Sequence, residues 1–350
     1  MILTWVKYTL AGVSAAAFLS ACGGGQFSNV APSGSGASQL TRQRPLGIRS
    51  TLAAVHTAGF AEHSDRGRSW ISPASGSSDL LYISDAQKDD VYVYQYPGLT
   101  LSGTLTGFHE PQGECTDAKD DVWITDTNAQ NVVEFAHGGT KAIAKLTDSS
   151  GYPVGCAVNT KTGDLAVTNI FGVSGAGAVL VYKDATGKPT AYTNKGQYYY
   201  YFDGYDPNGN LYVSGRNDSG FYTLAVLPSG ASSMSTVSLS GGTIVFPGAV
   251  QWVGTSLVLG DQQCGDANAS CLYEATISGT SGKITGATHF KGACDVIQPT
   301  VDGSAVAGGD FESCYYSSTG IHTWAYPAGG SPTKSVTAGE EPDGSAISNS

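Results

Sequence analysis

The feature that most constrains this chain is a repeat. A short strand-like run ending in a small polar or acidic residue occurs six times: LLYISD to Asp85, DVWITD to Asp126, DLAVTN to Asn169, NLYVSG to Gly215, SLVLGD to Asp261 and SAVAGGD to Asp310. The end positions lie 41, 43, 46, 46 and 49 residues apart. Each run is preceded by a segment with glycine or proline, such as PQGECTDAKD or PVGCAVNTKTGD, and followed by a second run and a glycine turn, such as VYVYQYPG or NVVEFAHGG. A weaker fourth run, TKAIAKLTD for example, links each unit to the next. One sheet of four short strands cannot bury both faces alone, so neighbouring units must stack on one another.

Four strands per unit with a period in the forties predicts the blades of a β-propeller. The expected fold is all-β: six four-stranded antiparallel blades over residues 67–350. The fragment EEPDGSAIS, ending at Ser348, matches the start of a unit and then stops, which predicts that the C-terminal strand closes the first blade. SWISPASG, Ser69 to Gly76, competes for the same place. From about Ser69 onward the pattern resembles the NHL-repeat and streptogramin-lyase-like propellers, in which Pro-x-Gly precedes a strand like NLYVSG. Streptogramin lyases use a histidine and metal-bound glutamates on one face. That resemblance would make His109 and Glu110 an acid–base pair, but no matching His-x-Glu arrangement occurs here, and no catalytic residue is assigned.

The first residues read as an address. TLAGVSAAAFLSAC is apolar and small up to Cys22, with Lys7 before it. Its apolar core is short for a permanent membrane span and has the layout of a secretory leader. Leu19-Ser20-Ala21-Cys22 resembles the lipobox of bacterial lipoproteins, which implies cleavage after residue 21 and acylation of Cys22. Gly23 at the next position implies outer-membrane sorting by the same resemblance. Residues 22–66 then form the lipidated cysteine and a Gly/Ser-rich tether.

Charge narrows the partners. The chain carries −11 with only 18 Lys and Arg, and loses Lys7 with the leader. Such a chain lacks the basic face that nucleic acid demands, so its expected membrane contact is the lipid alone. A monomer is expected.

Six cysteines remain after Cys22, an even number that favours disulfides in an exported chain. The expected pairs are Cys264–Cys271, Cys294–Cys314 and Cys115–Cys156, the last one position out of register. All six are expected on one face of the ring. The strand-end residues Asp85, Asp126, Asn169, Asp261 and Asp310 suggest a metal ring, but Asp and Asn after a strand more often shape its turn. Gly215 also interrupts the series. In YYYYF, Tyr198 to Phe202, core packing is the expected role, with Tyr201 nearest any ligand.

The candidate ligand-binding residues are His109, Glu110, Glu114, Tyr201, Asp203, Arg216, Asp261, Asp295, Asp310 and Glu341. All are expected on the cysteine-bearing rim. Carboxylates gathered there without matching bases favour a cation or a donor-rich ligand, with Arg216 able to orient an anion. The expected function is a lipid-anchored binding or scaffold module for a protein or small ligand. It needs no cofactor, with calcium or magnesium as a further option. The alternative is a metal-assisted lyase or lactone hydrolase with carboxylates at the channel mouth.

Overall fold

The computed structural model describes residues 67–265, 269–311 and 319–350. The expected leader, Cys22 and the tether lie outside these residues, as does Cys314.

Among the described residues the strands fall into six antiparallel sets. The first is β1 (Trp70–Ile71), β2 (Leu80–Asp85), β3 (Asp90–Gln95) and β4 (Thr100–Thr106). The second is β5 (Pro111–Thr116), β6 (Val122–Asp126), β7 (Asn131–Phe135) and β8 (Ala142–Thr147). Next come β9 (Gly151–Val158), β10 (Leu165–Gly172), β11 (Gly175–Tyr182) and β12 (Thr190–Tyr192). The fourth holds β13 (Tyr199–Tyr205), β14 (Leu211–Arg216), β15 (Tyr222–Leu227) and β16 (Ser235–Ser240). The fifth holds β17 (Pro247–Val253), β18 (Ser256–Asp261), β19 (Ser270–Ser278) and β20 (Ser281–Phe290). The last holds β21 (Thr300–Asp302), β22 (Ala305–Asp310), β23 (Gly320–Ala325) and β24 (Gly329–Thr337), and β25 (Pro342–Ser348) ends the chain.

The repeated runs of the sequence are the second strands, and their burial explains their composition. Every residue of β2, β6 and β14 is buried. A strand buried on both faces reads as a near-continuous apolar run rather than an alternating one. The fourth strands, such as β8 and β16, are mostly exposed and correspondingly polar. Apolar clusters fill the space between successive sets. Trp123 and Val132 pack with Leu165 and Leu180, and Val258 and Leu272 pack with Val306 and Trp324. A further cluster joins the last set to the first through Ala307, Ile321, Leu81, Ile83 and Tyr94.

β25 settles the competition at the first set. It pairs antiparallel with β2, Ser345 opposite Ile83 and Pro342 opposite Asp85. SWISPASG goes instead to the outer edge, where Trp70 and Ile71 pair with β4. The innermost strands β25, β5, β9, β13, β17 and β21 touch in that order, and β21 touches β25. Glycine makes the approach possible. A Cβ at Gly113 would collide with the Val154 carbonyl, and one at Gly344 with the Gln112 carbonyl. The Pro-x-Gly of the sequence therefore marks where neighbouring inner strands meet backbone to backbone.

Candidate functional site

The strand-end acids bind backbone. Asp85 accepts from the amides of Glu340 (2.7 Å), Glu341 (3.1 Å) and Lys88 (3.0 Å). Asp126 accepts from His109 (2.7 Å), and Asp261 from Val245 and Phe246 (both 2.9 Å). Asp310 accepts from the Cys294 and Asp295 amides, both at 3.2 Å. Each carboxylate ties the end of a second strand to the loop entering the neighbouring inner strand. These hydrogen bonds give Asp85, Asp126, Asp261 and Asp310 a structural use that needs no ion.

Arg216, 6% exposed, is folded onto the wall of the fourth and fifth sets. Its Nε donates to the Gly220 carbonyl, and its guanidinium lies 4.7 Å over the Phe246 ring. Tyr201 meets the same ring edge-on at 5.6 Å and is buried with Tyr200 and Phe202. His109 is exposed.

The remaining candidates form two groups along the axis. At the mouth where the inner strands begin, the charges of four acids, Glu341, Asp85, Glu110 and Asp295, act on a fifth, Asp343. All five are at least nine-tenths buried. Burial, then the charges of Glu341 and Asp89, pushes Glu110 up to about 9, against hydrogen bonds from Gln112 and Asn128. Glu110 also holds a left-handed backbone, φ 61°, which is rare for a side-chain-bearing residue. Burial and then Glu341 hold Asp343 well above the usual carboxylate range, and its Oδ1 has no hydrogen-bond partner among the described residues.

Asp343 was missed from sequence, although the signal was there. Glu341-Pro342-Asp343-Gly344 repeats Glu110-Pro111-Gln112-Gly113, with an acid in the variable place.

The second group corrects the expectation of one common rim. Glu114 pairs opposite Ile124 and Asp203 opposite Val213, in mid-strand rather than at the strand starts. Both line a cavity of about 270 Å³ between the C-terminal halves of the inner strands. The Cys115–Cys156 disulfide lies on the same wall. Cys264–Cys271, in contrast, sits at the Asp261 end, with Cys271 opposite Asp261. The two bridges therefore lie at different levels of the strand sets, because Cys115 and Cys156 lie within inner strands rather than in loops before them. Cys294 lies at the Asp310 end. Its expected bridge to Cys314 falls outside the described residues.

A pair of hydrogen bonds ties the last set to the second between these levels. Gln298 accepts from the Glu114 amide and donates to the Glu114 carbonyl, both at 2.9 Å, reaching from the last set past β25 to β5.

No family model matches this chain, and no curated protein matches it. Solved structures do. A nidogen/laminin complex is 11% identical, covering 77% of this chain and 98% of that one, with a TM-score of 0.61. TolB from Acinetobacter baumannii is 12% identical over 78% of this chain and 67% of that one, at 0.55. A functionally unknown protein from Desulfotomaculum acetoxidans DSM 771 gives 10%, 78%, 99% and 0.53. The fold is β-propeller-like. At these identities the likeness concerns fold alone.

Proposed function

We propose that this chain is an exported, lipid-anchored six-bladed propeller that works as a binding module through its central channel. The six strand sets, with β25 paired to β2 in the first, support the reading of six blades. The lipid on Cys22 and an outer-membrane location rest on the leader sequence. The nidogen/laminin complex is a propeller-like structure solved with a protein partner, and it supports a binding role by likeness of fold.

One observation carries the ligand class: the charges acting on buried Asp343 are Glu341, Asp85, Glu110 and Asp295, all of them acids. With acids as its charged neighbours and one carboxylate oxygen without a hydrogen-bond partner among the described residues, Asp343 ionises only beside a positive or donor-rich group. A metal-assisted lyase or lactone hydrolase would instead need several oxygens converging on one point. Among the described residues, the groups of three ligand atoms within 4.8 Å of one another are Cys264–Cys271–His289 and Asp117–Asp121–Glu134. Neither includes a carboxyl of this mouth, so binding is the reading the geometry favours.

The test is a thermal-shift panel of inorganic and organic cations, and of polyols, on the parent chain and on Glu110→Gln/Asp343→Asn. The expected result is a ligand that raises the parent's melting temperature and leaves the double variant unmoved. If every compound shifts both proteins equally, or none shifts either, the mouth is not a binding site.

A further inference from the structure

Away from the acidic mouth, one cluster of side chains has the chemistry of a transition-metal centre. Cys264, Cys271 and His289 bring two sulfurs and an imidazole nitrogen within 4.8 Å of one another. The fifth strand set builds this cluster. Cys271 stands on β19 directly opposite His289 on β20, so their side chains share one face of the sheet. Cys264 is carried to that face by the loop entering β19, where its own amide donates to the Ala269 carbonyl at 2.9 Å. The other described trio, Asp117–Asp121–Glu134, is already used by backbone. Asp117 Oδ1 accepts from the Lys119 and Asp121 amides, and Asp121 Oδ1 from the His137 amide.

Three features say which metal and how it is held. First, Cys264 Sγ lies 3.6 Å from His289 Nδ1. Tetrahedral zinc, with Zn–S about 2.3 Å and Zn–N about 2.0–2.1 Å, holds a sulfur and a nitrogen ligand about 3.6 Å apart. Second, the donors are sulfur and nitrogen, which suit zinc rather than calcium or magnesium. Asp261, opposite Cys271 on β18, adds no oxygen, because its carboxylate accepts from the amides of Val245, Phe246 and Gln263. Tyr273, two residues beyond Cys271 on the same face of β19, sets its hydroxyl 3.5 Å from Cys264 Sγ. A phenol there can donate to a thiolate, the kind of outer contact that orients metal ligands. Third, both cysteines are buried while His289 is exposed, so an ion enters from the imidazole side and keeps a fourth position open to water there. The two sulfurs are bonded to each other as Cys264–Cys271, and it is the thiolate that ligates a metal.

We infer that Cys264, Cys271 and His289 form a redox-gated zinc site, closed while the cysteines are bridged and opened when they are reduced to thiols. The inference goes beyond the reading of the channel as a binding site and does not depend on it. A dithiol donor opens the bridge by thiol–disulfide exchange. The donor's two sulfurs join as its own disulfide, and the two electrons and two protons it gives up leave Cys264 and Cys271 as thiols. Zinc then replaces the two thiol protons, which pass to solvent, and takes the Nδ1 lone pair of His289 as its third ligand. In an oxidising compartment the bridge is the resting form, so zinc is held only where a thiol donor acts.

The experiment is zinc titration of the full chain in detergent, with its bridges intact and after treatment with a water-soluble phosphine. A phosphine takes the oxygen of water and leaves two thiols, without the zinc chelation of a dithiol. Thiol counting follows the opening of the bridge. The reduced parent is expected to bind zinc one-to-one, and cobalt(II) in its place should give thiolate-to-metal charge-transfer absorbance. The bridged parent should do neither. Reduced His289→Ala should bind zinc about tenfold or more weakly, and reduced Cys264→Ser should lose the two-thiolate cobalt spectrum. Cys115→Ser/Cys156→Ser should keep both signals. The exposed position of His289 means that bridged His289→Ala should melt with the parent. If it melts lower, reduced His289→Cys decides, because a thiolate rescues a ligand role and not a packing role. The inference is overturned if the bridge stays closed under the phosphine, if the reduced parent takes no zinc, or if bridged and reduced chains bind it equally. Binding in His289→Ala or Cys264→Ser that matches the parent overturns it as well.

Discussion

Glu110→Gln is the substitution whose effect the structure fixes most closely. An acid held up to about 9 in the folded chain, from an ordinary value of 4.5, must take up a proton whenever the chain folds above pH 4.5. The sign follows from proton counts. Between about 4.5 and 9 the folded state binds more protons at this site than the unfolded state, so stability falls as pH rises. The penalty grows by about 1.4 kcal/mol per pH unit and reaches about 3 kcal/mol at pH 7. Glutamine keeps an acceptor for the Asn128 amide (2.5 Å in the parent) and removes the ionisation. The variant should therefore match the parent near pH 4.5 and exceed it by up to about 3 kcal/mol at pH 7. For a domain of this size that is a rise in melting temperature of roughly 5–10 °C. Urea unfolding at pH 5, 6, 7 and 8 measures it. A variant destabilised by the same amount at every pH would refute the reasoning, because Glu110 would then act as a fixed hydrogen-bond acceptor and not as a buried acid.

Replacing both cysteines of one bridge by serine should rank the bridges by loop size. Loss of Cys115–Cys156, separated by 41 residues, should cost about 4 kcal/mol, and loss of Cys264–Cys271, separated by 7, about 2.5; chemical denaturation giving the reverse order contradicts the ranking. Asp261→Ala frees the amides of Val245 and Phe246 and should cost about 2–4 kcal/mol, with no change in metal content by elemental analysis. Gly344→Val sets a side chain against the Gln112 carbonyl and should abolish soluble expression or lower the melting temperature by more than any other change named here. Mass spectrometry of the mature N-terminus should return a diacyl or triacyl Cys22, and an unmodified or differently cleaved end rules the anchor out.

The period of the repeat was legible because a strand buried on both faces must be apolar throughout, and LLYISD, DVWITD and DLAVTN each carry that mark. Less legible was the choice between EEPDGSAIS and SWISPASG for the innermost place. Both are short and partly apolar, and only the backbone contact at Gly344 distinguishes the strand that can sit against β5 from one that pairs at the outer edge. The cysteines misled for a related reason. A disulfide between neighbouring sets can form at any level of the strands. Cys115 and Cys156 lie within the inner strands β5 and β9, which puts their bridge beside the lower cavity, while Cys264 and Cys271 close a loop at the opposite end.

The acids divide along a line that the sequence does contain. Asp85, Asp126, Asp261 and Asp310 end second strands, where loops entering the inner strands offer free amides, and each collects backbone hydrogen bonds. Glu110, Glu114, Glu341 and Asp343 lie within or next to Pro-x-Gly segments. There the prolines have no N–H to donate, and the glycines bring neighbouring backbones too close for a side chain. At the mouth such carboxyls act on one another: the charge of Glu341 raises both Glu110 and Asp343. Closure supplies the rest: Glu341 and Glu110 are 231 residues apart in sequence, yet the charge of Glu341 helps to raise Glu110 because β25 stands beside β5. An acid flanking Pro-x-Gly on an inner strand is therefore a better marker of the channel in this chain than an acid at a strand end. Asp343→Asn should stabilise the folded chain increasingly as pH rises above about 4, because burial and then Glu341 hold this carboxyl well above its ordinary 3.8; a melting temperature that gains nothing on the parent's between pH 5 and 8 would contradict it.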